Sequence, residues 1–176
     1  NTSGPDWDGD NYEDAGDKPS TAQKVSVEFT QTILTVRGSL KGEDEEGLAG
    51  TGTGDYQDMY EVVLKEPGQF SIQTLPPLGG AEFDTILSVY APNGTPLLAN
   101  NDADQGTTGS IVGSQSSDGT FSITNPGVVY IAISGYPSRP LNSAGEDVFA
   151  WTQDPTAVVG PSNAAGPVAG WSEPGE

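Results

Sequence analysis

Phe83-Asp-Thr-Ile-Leu-Ser-Val-Tyr-Ala-Pro-Asn-Gly-Thr-Pro-Leu-Leu-Ala-Asn-Asn-Asp102 reads as a strand, a tight turn at Pro92-Asn93-Gly94 and a returning strand. Asn-Gly between apolar runs predicts a primed hairpin turn, because both residues tolerate positive φ. Phe83, Thr85, Leu87 and Val89 fall on one face of the first strand, Ile86 and Tyr90 on the other. Apolar residues on both faces predict a central strand covered on each side.

Outward from this hairpin the same period-two signal recurs. Val25, Val27 and Phe29 alternate with Ser26 and Glu28, and Thr32–Leu40 continues in strand-like fashion. Tyr60, Val62 and Leu64 point inward before the Pro67-Gly68 turn; Phe70, Ile72 and Thr74 alternate after it. These two runs are expected to form a second hairpin. Phe121 and Ile123 mark a short strand, and Val128–Tyr136 is the strongest strand pattern, with Val129, Ile131 and Ile133 on its core face. Val148, Phe149 and Trp151 add a further short strand. Short strands separated by Gly, Pro and Asn turns predict an all-β, antiparallel β-sandwich of about 8 strands. Nothing alternates helix with strand, which excludes a doubly wound sheet. The division expected is an acidic N-terminal segment over 1–23, the sandwich over 24–153 and a Gly/Pro-rich tail over 154–176.

Composition narrows the function. Six Lys+Arg stand against 25 Asp+Glu, a formal charge of −19. Nucleic acid and anionic membrane are poor partners for such a chain. Such charge serves solubility, life in a salty medium or cation binding. Cysteine and histidine are both absent, which removes thiol chemistry, the usual general base and the usual transition-metal ligand. No run of about 18 apolar residues predicts a membrane span. The start at Asn1 without a basic and apolar leader reads as a mature, secreted product.

The carboxylates are clustered. In Asp6-Trp-Asp8-Gly-Asp10-Asn-Tyr12-Glu-Asp14-Ala-Gly-Asp17, the residues Asp6, Asp8, Asp10, Asp14 and Asp17 occupy positions 1, 3, 5, 9 and 12 of a calcium loop, with Tyr12 supplying a carbonyl at position 7. Asn11 stands where Gly is usual, and no flanking helices are apparent; the alternative is an acidic tail. Asp55 and Asp58 either join Asp14 and Asp17 in a second site or cap a turn before a strand. The two arrangements compete for Asp14 and Asp17. A third cluster, Asn100, Asn101, Asp102 and Asp104, with the odd Asp84 inside an apolar strand, is a second candidate metal site or an Asx-rich loop. Glu43–Glu46 reads as a solvated loop. Trp7, Trp151 and Trp171 pack in the core, against a neighbouring subunit, or stack on sugars.

Gly54-Asp55-Tyr-Gln-Asp58-Met-Tyr60, the Pro67-Gly68-Gln-Phe70 turn, Phe83-Asp84-Thr-Ile-Leu, Leu98-Ala-Asn-Asn-Asp102 and Gly127-Val-Val-Tyr-Ile-Ala-Ile-Ser-Gly135 occur in the order of the bacterial pre-peptidase C-terminal domain, which the chain resembles over roughly residues 14–136. The resemblance implies a jelly-roll-like sandwich on secreted proteins, non-catalytic, binding calcium where the N-terminal linker meets the Asp-x-x-Asp turn, here Asp14, Asp17, Asp55 and Asp58. Relatives tend to carry a further closing strand after the Trp171 region, and this sequence stops at Glu176 without one: either it is truncated or the sheet has an open edge, which would pair with a strand of another chain.

The expected function is therefore a calcium-stabilised structural or assembly subunit at the cell surface, a fibre included, self-associating or docking on another surface protein. The alternative is a secreted accessory module that binds polysaccharide or protein, favoured if Tyr90, Tyr130 or Tyr136 forms an exposed aromatic strip. No activated nucleophile can be named, so no enzymatic role is expected.

Overall fold

The computed structural model describes residues 15–25, 57–75, 84–105 and 108–172. It is an all-β sandwich. Its strands are β1 (Gln23–Lys24), β2 (Gln57–Leu64), β3 (Ser71–Gln73), β4 (Thr85–Tyr90), β5 (Pro96–Asn100), β6 (Ile111–Gly113), β7 (Gly127–Gly135), β8 (Pro140–Leu141) and β9 (Gly170–Trp171). The main sheet has the order β1-β2-β7-β4-β5; β3 pairs with β6 and β8 with β9. The ladders are antiparallel except β1–β2, which is parallel. The strands expected from Ser26 to Leu40 lie outside the described residues, as does the Glu43–Glu46 run.

Strand β4 is central, between β7 and β5, and all six of its residues are buried. The alternation read from its sequence sorts into two cores. On one face Leu87 and Val89 join Leu64, Leu98, Val129 and Ile131, covered by Val112 of β6 and by Ile123. On the other, Tyr90 joins Met59, Ala99 and Ala132, covered by Val148, Phe149, Val159 and Val168. Each of these large side chains contributes roughly 1.5–3 kcal/mol by leaving water. Phe149 lies at the centre of the second core, 5.7 Å from the Tyr90 ring and 5.8 Å from Trp151 in an edge contact.

Two local expectations are corrected. The β4–β5 turn is not a two-residue primed turn. The Gly94 amide donates to the Ala91 carbonyl at 2.9 Å, and the Ala91 amide to the Thr95 carbonyl at 2.8 Å. Gly94 takes the positive φ, 80°, while the Asn93 side chain accepts from the Thr95 amide. The longer loop shifts the register between Val89 and Tyr90. The second correction concerns β2 and β3, which form no hairpin. Both sides of β2 are taken: β7 pairs along it from Gln57↔Ser134 to Leu64↔Gly127, and β1 lies on its other edge. A short 3-10 turn over Pro67–Gln69 carries the chain across to the opposite layer, where β3 meets β6.

The Gly/Pro-rich C-terminal stretch packs against the main sheet. Val159 exchanges both backbone hydrogen bonds with Ala99, at 2.8 and 2.9 Å, and the Val168 amide donates to the Gly94 carbonyl at 3.0 Å. The Trp171 indole N–H donates to the Asp17 carbonyl at 3.0 Å, tying the two ends of the described chain together.

Gly160 sits under the ring of Phe121: a Cβ there would lie 2.0 Å from Phe121 Cδ2. Gly160→Ala is expected to lose about 1–3 kcal/mol of unfolding free energy in urea through overpacking. In a Phe121→Ala background the same change should cost little. Equal costs in both backgrounds would show that the contact does not limit stability.

Candidate functional site

Of the N-terminal calcium loop, Asp6, Asp8, Asp10, Tyr12 and Asp14 lie outside the described residues, and so does Asp55. Asp17 and Asp58 are described. The Met59 amide donates to the Gly16 carbonyl at 2.8 Å, and the Gln23 amide to the Ala15 carbonyl at 3.0 Å. The segment 15–17 is thus docked beside the start of β2, next to Asp58. The Asp58 carboxylate is buried within β2, not at a turn before it, and accepts from the Tyr60 hydroxyl at 3.1 Å. Asp17 is half-exposed, with Lys18 Nζ 3.7 Å from its carboxylate.

The second cluster is divided by the fold. Register pairs Leu87 with Asn100, so Asp84 and Asp102 flank the open end of the β4–β5 hairpin, opposite the Gly94 turn. Asp102 is 8% exposed, and burial pushes its carboxyl above the ordinary carboxylate value. Asp84 is raised too, first by burial and then by the negative charge of Asp102. Asp84 Oδ1 is buried without a hydrogen-bond partner among the described residues. Neighbouring hydroxyls are committed elsewhere: the single proton of Ser110 Oγ is within reach of the carbonyls of Thr85 and Asn101, and Thr85 Oγ1 lies 2.8 Å from Thr74 Oγ1 and 3.1 Å from Ser110 Oγ. They fix the loop after β5 onto the start of β4.

Asn100 does different work from a ligand. It is fully buried. The two protons of its Nδ2 are shared among the carbonyls of Thr156 at 3.1 Å, Ala157 at 3.3 Å and Pro155 at 3.5 Å. Its Oδ1 accepts from the Ile111 amide at 2.9 Å. Both ends of the amide are engaged by backbone, so it is a bracket between the two layers. Asp104 is exposed, and its Oδ1 accepts from the neighbouring Gln105 amide at 2.8 Å. What remains together is a pair of carboxylates, Asp84 and Asp102. Among the described residues no group of three or more Asp, Glu, His or Cys converges. An all-oxygen pair suits a hard divalent cation that completes its shell with carbonyls and water.

The three tyrosines that would favour the binding-module alternative do not form one exposed strip. Tyr90 is fully buried, its hydroxyl 3.0 Å from Ser88 Oγ. Tyr130 is half-buried and donates to Glu61 at 3.2 Å. Tyr136 is 48% exposed. It borders a pocket shared with Trp151, Arg139 and Asn101, which sequence reasoning did not assemble because its walls come from separate segments. No helix among the described residues is long and apolar enough to cross a membrane, which leaves strands out of account. No family model matches the chain, and neither a curated protein nor a solved structure matches it.

Proposed function

We propose that the chain is a non-catalytic, calcium-stabilised β-sandwich module of a secreted, cell-surface protein, with a structural or assembly role. The observation that carries this reading is the Asp84–Asp102 pair. Two carboxylates are held together in a partly dry setting, each raised by burial, and among the described residues no Lys or Arg forms an ion pair with either. Such a pair is costly unless an ion neutralises it. The resemblance to the pre-peptidase C-terminal domain points the same way. The chain's −19 charge adds to it: copies carrying that charge repel one another, and calcium between them lowers the repulsion. The partner in assembly is a second copy or another surface protein.

Calorimetric melting of the full chain tests the reading. Calcium at one hundred times its Kd should add about 2.7 kcal/mol. For a chain of this size that is a rise of about 5–10 °C in Tm. A chelator should reverse it, and magnesium should do less, since it sheds water reluctantly. An unchanged Tm across millimolar calcium would refute the metal; light scattering showing monomers at high concentration in calcium would refute the assembly role.

A further inference from the structure

The sequence holds one Asn-Gly pair, Asn93-Gly94, at the turn of the β4–β5 hairpin. We propose that Asn93 is a site of spontaneous covalent modification, converting to aspartate and isoaspartate when the turn opens. Asn93 is exposed, while Gly94 is buried. Gly94 has no Cβ, so its backbone nitrogen can approach the side-chain amide of Asn93 without a clash from its own side chain. Every other asparagine precedes a residue with a side chain, and Asn125 precedes Pro126, which has no N–H to lose.

The chemistry needs only water and hydroxide. Hydroxide takes the Gly94 amide proton, and the nitrogen bonds to Asn93 Cγ. The Cγ–Nδ2 bond then breaks; Nδ2 takes a proton from water and leaves as ammonia. A further water opens the resulting cyclic imide at one carbonyl or the other. One opening gives aspartate. The other gives isoaspartate, whose main chain runs through Cγ and is a carbon longer. Nothing is oxidised or reduced.

The folded turn restrains both reacting groups. The Gly94 amide donates to the Ala91 carbonyl at 2.9 Å, and Asn93 Oδ1 accepts from the Thr95 amide at 3.1 Å. The second bond polarises Cγ and favours attack, but the first keeps the proton on the nucleophile, and without the nucleophile no imide forms. The Gly94 carbonyl accepts from the Val168 amide at 3.0 Å, and a Cβ at Gly94 would lie 3.4 Å from Pro167 Cβ and 3.5 Å from Pro19 Cγ. Segments from both ends of the described chain thus clasp the turn, and its opening is tied to their undocking. The extra carbon of isoaspartate shifts the Gly94 carbonyl away from Val168, so each conversion loosens the clasp that slowed it. Asn142, which precedes Ser143, is a contrast. Its Oδ1 accepts from the Ala144 and Glu146 amides at 2.8 and 3.1 Å, and its Nδ2 donates to the Glu146 carboxylate and the Ala164 carbonyl at 3.0 and 2.9 Å. It should outlast Asn93 in the folded chain.

The experiment holds the full chain in warm, mildly alkaline buffer, with and without urea, and follows each asparagine by peptide mass spectrometry and isoaspartate-specific methylation. In urea the Asn93 peptide should be the first to lose its amide and gain isoaspartate. Without urea the same loss should be slower by about tenfold, the equivalent of about 1.4 kcal/mol of restraint in the folded turn. Val168→Ala, which thins the contact at the clasp, should speed the loss severalfold without urea and leave the rate in urea unchanged. The comparison with and without urea uses the parent chain, so the test stands if Val168→Ala folds poorly. Asn93→Ser should form no isoaspartate at the turn. The converted chain should melt below the parent, whereas freshly purified Asn93→Asp, which adds the charge without the extra carbon, should melt close to it. The proposal is overturned if Asn93 keeps its amide in urea, if the folded chain converts as fast as the chain in urea, if Asn142 converts before Asn93 in the folded chain, or if isoaspartate at the turn leaves Tm where it was.

Discussion

Asn100→Ala is expected to lower the unfolding free energy by about 3–4 kcal/mol, among the largest single losses available outside the apolar core. The substitution strips the partner from the Ile111 amide and from the carbonyls at 155–157 in one step. A buried donor or acceptor left without a partner costs about 1–3 kcal/mol. Several are exposed to that cost together, though the loosened segment can admit water and recover part of it. The urea midpoint should fall with the slope unchanged, since the surface exposed on unfolding is the same. Asn100→Asp discriminates further. It keeps the shape and the acceptor for Ile111, but loses the amide donors and adds a buried charge. It should be worse than alanine at neutral pH and recover on acidification, as the carboxyl takes up its proton. A loss below 1 kcal/mol for Asn100→Ala would mean that the C-terminal layer is held by its apolar contacts and its backbone bonds to Ala99, Asp102 and Gly94, without the Asn100 side chain.

That residue also shows where sequence alone was ambiguous. Asn100-Asn101-Asp102 has the composition of a metal loop and of an Asx bracket equally, because both uses need short side chains with oxygen acceptors. Only the placement of 155–157 against β5 decides between them, and that contact is 55 or more residues distant in sequence. The central hairpin was legible for the opposite reason. Its alternation and its Asn93-Gly94 turn are local, and β7 likewise declares itself by a long apolar run. The supposed β2–β3 hairpin was misread because Pro67-Gly68 marks a change of direction but not the partner that follows. The C-terminal layer was illegible as structure. Its order comes from a pair of backbone bonds to Ala99, one to Gly94 and isolated Val159 and Val168, with no period to read. Asp84 breaks an apolar run because it stands just before β4, at the end of the sheet beside Asp102.

Replacing Asp84 and Asp102 together by Asn is expected to abolish the calcium-dependent rise in Tm while raising the metal-free Tm at neutral pH. The sign follows from linkage. Both carboxyls are raised in the folded chain, so between the ordinary value of 3.8 and the raised one the folded state binds more protons than the unfolded state. Metal-free stability from this pair is therefore greatest at or below the ordinary value and declines as pH climbs through the raised one. The double variant removes that decline. Calcium inverts the dependence, because an ion favours the ionised pair and must be shed as the carboxylates are protonated. Asp118 provides an internal contrast. Hydrogen bonds from Ser116 and Thr120 hold its carboxyl down to about 2, so its contribution is present above 3.8 and fades as pH falls toward 2. It should persist in the double variant with or without calcium. Melting curves across acid and neutral pH, in chelator and in calcium, separate these effects. If the double variant keeps the full calcium response, the ion is held by other oxygens, the Asp6–Asp17 stretch foremost, and the pair at the hairpin end is only a strained contact.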